Sequence, residues 1–163
     1  MTRQLDILQS NVVACGQRID KLSYSLHKNS AMFPLKIATI NSLTDDQEES
    51  IDALILRYSQ CVSMIQEQIF RGIAYVEQED ISDKSSRDKV LLMEKLGAIR
   101  SADDFGSAAL LRNKFSHHYP EDVGQRLERL NLVVQEADFV IKAYYAIIAF
   151  LERKGFVQPN SVN

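Results

Sequence analysis

Glycine and proline are scarce in this chain, six and three in 163 residues, and tryptophan is absent. So few chain-bending residues point to long helices with few tight turns. Cysteine is almost missing too. Cys15 and Cys61 stand far apart with no paired motif near either, which argues against a disulfide framework and for reduced, buried thiols. No charge of one sign dominates. The formal net charge of −3 excludes wholesale non-specific nucleic-acid binding while leaving room for a local basic site. Long apolar runs are lacking as well. The longest, Ala143 to Leu151, falls far short of the roughly 20 residues a membrane helix needs. At the N-terminus Asp6 stands where a signal peptide would require apolar residues. The expectation is a cytoplasmic chain with no membrane partner.

What is present is helical patterning. Leu5, Leu8, Val12, Cys15, Ile19, Leu22 and Leu26 alternate in steps of three and four, one stripe of a long helix ending before Phe33-Pro34. Ala31 to Leu43 reads as a connection in which Ile37 to Leu43 forms a loop or a short helix. Thr44-Asp45-Asp46-Gln47 is a capping box. It opens a second long helix with Ile51, Ile55, Tyr58, Val62, Ile65, Ile69, Ile73 and Val76 inward. Glu77 to Ser85 reads as a loop. Ser85 starts a short helix to about Ile99, and Ser101 caps another that carries Phe105, Ala108, Leu111 and Phe115 on one stripe. Pro120-Glu121-Asp122 suits the first turn of a last long helix. There Leu127, Leu130, Val134, Ala137, Ile141, Tyr144, Ile148 and Leu151 face inward, and Gly155 ends it. Tyr144, Tyr145 and Phe150 read as core. No segment alternates with period two. The expected fold is all-α, an antiparallel up-and-down bundle of three long and two shorter helices. It forms a single domain over residues 1–157, with a tail over 158–163.

The chemistry concentrates in Arg112-Asn113-Lys114-Phe115-Ser116-His117-His118-Tyr119-Pro120, which holds two of the three histidines. On a continuous helix Arg112, Ser116 and Tyr119 fall nearly on one line, and Asn113 and His117 on the next. His117 lies about 140° around from Arg112. One chain therefore does not readily bring both to the same substrate atom, whereas two such helix ends face to face converge two arginines and two histidines. The set suits metal-free RNA cleavage. The ribose 2′-hydroxyl is the nucleophile, a histidine titrating near neutrality moves the proton, and an arginine stabilises the phosphoryl charge. Asn113 is placed to bond phosphate or to fix the histidine. Adjacent histidines on a helix point apart and no carboxylates are interleaved, so neither a metal nor another cofactor is expected. The same residues would equally serve to tie a helix end to the next loop. Lys114, Arg126 and Arg129 are candidate phosphate contacts, or partners of Glu121, Asp122 and Glu128. Lys84 to Lys89 is a solvated helix start or part of an RNA-binding rim.

Arg112, four residues, His117, one residue, Tyr119 resembles the R-x4-H-x-Y signature of HEPN-domain toxins of the HepT type. The flanking Leu111-Arg112-Asn113 and His117-His118-Tyr119, and the position between the last two helices, are also similar. The resemblance implies a metal-independent endoribonuclease toxin of a toxin–antitoxin system, acting as a homodimer on RNA. In it Arg112 and His117 are catalytic, Asn113 supports them, and a nucleotidyltransferase antitoxin transfers AMP to Tyr119. The long N-terminal helix and the Ala31 to Leu43 connection depart from a minimal member. Two other functions are compatible with the sequence: a non-catalytic HEPN partner of a nucleotidyltransferase, and a helical adaptor.

Overall fold

The computed structural model describes residues 2–117 and 122–159, without the side chains of Thr2 and His117. Every regular element among these residues is helical. Helix α1 (Thr2–Asn29) is followed by a 3₁₀ turn (Ser30–Met32) and the short α2 (Ile37–Ile40). Then come α3 (Asp45–Met64), a π-helical segment (Ile65–Ile69) and α4 (Phe70–Val76), with helical dihedral angles carried through both junctions. Helices α5 (Ser86–Leu96), α6 (Ala102–His117) and α7 (Val123–Arg153) complete the chain. The protein is an all-α bundle, with α1 packed along α3, α4 and α7.

The sequence stripes form the core. Leu8, Val12, Cys15, Ile19 and Leu22 of α1 are fully buried, and they meet Leu54, Tyr58, Cys61 and Val62 of α3 and Val133, Ala137 and Val140 of α7. Burial pushes both thiols, Cys15 and Cys61, up to about 12, so they behave as small apolar groups. Two buried tyrosines lock the helices together. The Tyr144 hydroxyl donates to the carbonyl of Val12 at 3.1 Å, and that of Tyr58 donates to the carbonyl of Ala108. The expected core assignment fails at Tyr145, which is 54% exposed and only edges onto the Tyr144 ring. One step round the helix from Tyr144 carries it off the inward face.

The π segment has a visible cause. Inward positions along α3 and α4 alternate steps of four and three as far as Ile65, then take two successive fours to Ile69 and Ile73. Each four overshoots an α-helical turn by about 40°. The wider π turn absorbs the surplus, so Ile65, Ile69 and Ile73 all remain buried. Beyond it, Gly72 lets α4 lie against α1: a Cβ there would stand 2.8 Å from Leu8 Cδ1.

Helix ends follow their capping residues. Thr44 and Gln47 form the reciprocal capping box. Ser85 accepts from the Asp88 amide, and Ser101 from the Asp104 amide at 3.1 Å. Helix α5 ends earlier than the expected Ile99. Gly97 at φ 89° turns the chain, and the Ala98 amide bonds back to the Met93 carbonyl at 2.9 Å. Asp122 stands outside the first turn of α7, serving instead as its N-cap by accepting from the Gln125 amide at 2.8 Å. Pro120 and Glu121 lie outside the described residues.

The connection after α1 has a packing role. Leu35, Ile40, Ile51 and Leu130 form a second small core with Phe115 and Leu127 against it. Asn131 of α7 holds both backbone groups of Leu35, accepting from its amide at 2.8 Å and donating to its carbonyl at 3.1 Å. This second core closes the bundle beneath the C-terminal end of α6. No helix among the described residues is long and apolar enough to cross a membrane.

Candidate functional site

Helix α6 presents the motif, and its anchorage begins at the opposite end. The Ala102 amide donates to the Glu94 carboxylate at 2.6 Å, and Arg87 pairs with Asp103 at the surface. Phe105 is fully buried, its ring 4.9 Å from that of Phe70. Ala108 and Leu111 continue the buried stripe, and Phe115 is half-buried between the two cores. With those four positions inward, Arg112 falls on the flank of α6 next to Leu111, while Asn113 and Lys114 are exposed.

The Arg112 side chain is held in place. Its Nη1 donates to Ser63 Oγ at 3.2 Å, reaching across to the last turn of α3. Its Nε and Nη2 both donate to Asn113 Oδ1, at 3.2 and 3.1 Å. Adjacent helical residues ordinarily point apart; the length of the arginine arm lets the guanidinium fold back onto the neighbouring amide. Asn113 Oδ1 thus holds the arginine by two of its three nitrogens. Three of the five guanidinium N–H groups are used this way, which leaves two for an anion. Ser116 closes the turn, its hydroxyl donating to the Arg112 carbonyl at 3.1 Å.

Helix α6 runs unbroken to His117. Five residues at the α-helical repeat set the Cα positions of Arg112 and His117 about 140° apart around the axis. His118 and Tyr119, the latter the expected AMP acceptor, lie outside the described residues. Arg126 reaches an acid that was not among those expected: its Nη2 stands 3.7 Å from Glu48 Oε1, in the first turn of α3. Ser63, which takes Arg112, lies fifteen residues further on, about 22 Å of helix. The two guanidinium groups are thus directed at opposite ends of α3. Arg129 is half-buried on the same helix.

Sequence reasoning missed several groups around Arg112. Ser63 carries no motif signal. Gln66, in the π segment, lines a cavity with Arg112, Arg71 and Lys89; the two successive four-residue steps marked its place. Glu136 of α7 is half-buried, and its carboxyl is held above the ordinary range, first by loss of solvent and then by the charge of Asp104. Among the described residues no group of three or more His, Cys, Asp or Glu is placed to hold a metal ion.

The raised carboxyl of Glu136 gives a stability prediction. From the ordinary value of 4.5 upward, the folded chain holds this proton more tightly than the unfolded chain, so stability falls as pH rises through that window. Glu136→Gln, which cannot ionise, is expected to raise Tm at pH 7 and to leave it near the parent value at pH 4. Thermal denaturation at the two pH values checks this, and a variant no more stable than the parent at pH 7 contradicts it.

The chain matches no protein-family model, and no curated protein or solved structure matches it significantly.

Proposed function

We propose that this chain is a metal-independent endoribonuclease of the HEPN type, the toxin of a toxin–antitoxin pair. The observation that carries the reading is the state of Arg112. It is half-buried on a helix that runs unbroken to His117, pinned by Ser63 and Asn113, with two N–H groups left over. A fixed guanidinium with spare donors is preorganised for a phosphoryl group, since little of its freedom remains to be lost when the anion binds. The R-x4-H-x-Y spacing supplies the other half of the chemistry. A histidine removes the 2′-hydroxyl proton, the 2′-oxygen bonds to phosphorus, and the P–O5′ bond breaks. A proton from a second histidine goes to the departing 5′-oxygen. The products carry a 2′,3′-cyclic phosphate and a 5′-hydroxyl.

The angle of about 140° between Arg112 and His117 supports a cleft shared by two copies, each α6 end contributing to it. Tyr119 is the residue on which a nucleotidyltransferase antitoxin would place AMP. The added phosphate and nucleoside would block the cleft and compete for Arg112. A second reading rests on the same hydrogen bonds: Arg112 as a structural tie between α6 and α3, in a helical adaptor or a non-catalytic nucleotidyltransferase partner. Incubating the purified chain with RNA in the presence of a strong chelator separates them. The nuclease cuts; the tie does not. Full activity from a chain that light scattering shows to be monomeric would overturn the shared cleft.

A further inference from the structure

Beside Arg112 lies a cavity of about 140 Å³ between the π segment, α5 and α6. Arg71, Lys89 and Arg112 line it, with Glu67 as the carboxylate among its lining groups. A formal excess of two positive charges is thus gathered at one spot on a chain whose net charge is −3. Neither Arg71 nor Lys89 is in an ion pair among the described residues. Ser86, the first residue of α5, also lines the cavity and brings the positive end of that helix to it.

We infer that this cavity is a second anion subsite for RNA: Arg71 and Lys89 take the backbone phosphate one nucleotide from the bond to be cut. The inference rests on the nuclease reading for its substrate. Size limits the occupant. Sites for whole small molecules measure roughly 300–1,000 Å³, so 140 Å³ admits a phosphate and a sugar edge while a nucleoside stays outside. Arg112 forms a wall of both places, so a strand gripped there meets Arg71 and Lys89 at its next phosphate.

The test uses the His117→Ala chain, in which cleavage is suppressed, and a fluorescein-labelled single strand of RNA. Anisotropy is followed over a range of salt concentrations. Adding Arg71→Ala and Lys89→Ala is expected to weaken RNA binding about tenfold or more at low salt. It should also lower the slope of log affinity against log salt by about 0.7, for the one backbone phosphate that the two cations share. Lys28→Ala with Lys36→Ala removes the same charge at the end of α1 and the start of α2 and should leave the slope unchanged. No RNA binding, an unchanged slope, or an equal fall from the Lys28 and Lys36 pair overturns the subsite. Cleavage by the parent chain is scored separately. A chain that binds RNA with the expected slopes and never cuts it sinks the nuclease reading alone, and one that cuts with unchanged slopes sinks the subsite alone.

Discussion

His117→Ala is expected to lower RNA cleavage by a factor on the order of 10²–10⁴, the usual contribution of a positioned general acid or base. The fold should survive. His117 is the last described residue of α6, alanine is the best helix former, and the anchors of that helix lie at Phe105, Ala108 and Leu111. A far-ultraviolet circular dichroism spectrum matching the parent, with activity gone, is the expected pairing. A well-folded variant that cuts at the parent rate would remove the nuclease assignment from this motif. Arg112→Lys provides the companion result. Lysine keeps the charge but loses the planar fork, so it cannot bond Ser63 and Asn113 together while offering donors to phosphate. Its activity should fall severely even with the positive charge retained.

The second large effect is on stability. Phe105, the fourth residue of α6, is fully buried against Phe70. Phe105→Ala is expected to cost about 3–5 kcal/mol, the range for deleting a core aromatic ring and leaving a cavity. That is a large part of the roughly 5–15 kcal/mol that holds a domain together. Urea denaturation at constant m-value would show it as a fall in the midpoint. A loss below about 1 kcal/mol would mean that α6 is held chiefly by its surface bonds, contrary to the packing. Because Arg112 is positioned by this helix, any RNA cleavage should vanish at a lower temperature in the variant than in the parent, in step with its unfolding.

The stripes of α1, α3 and α7 were legible because apolar burial repeats with the helical period, and Thr44, Ser85 and Ser101 announced their helix starts through hydrogen-bond chemistry that is local in sequence. What depended on contacts distant in sequence was not legible. Ser25 and Asn29 extend the buried face of α1 although both are polar. Their partners lie on α3: Arg57 bonds the Ser25 hydroxyl at 2.7 Å, and the Asn29 amide donates to the Ser50 carbonyl at 3.2 Å. The Arg126 contact with Glu48 of α3 is likewise distant in sequence. In the candidate site, the spacing of Arg112 and His117 could be read directly. The hold of Ser63 on Arg112, and the cavity shared with Gln66, Arg71 and Lys89, required the third dimension. The π segment lies between these cases. Its extra residue was written in the successive steps Ile65, Ile69 and Ile73, but a stripe of isoleucines reads as ordinary α-helix until the angular drift is summed.

The chemistry of the cut ends tests the central claim most directly. RNA incubated with the purified chain and a strong chelator can be analysed by mass spectrometry of the fragments. Attack by the 2′-hydroxyl, managed by histidine and arginine alone, predicts fragments ending in a 2′,3′-cyclic phosphate with 5′-hydroxyl partners, formed at the same rate with and without chelator and lost in His117→Ala. Intact RNA, or fragments with 3′-hydroxyl and 5′-phosphate ends that disappear when the chelator is added, would contradict it.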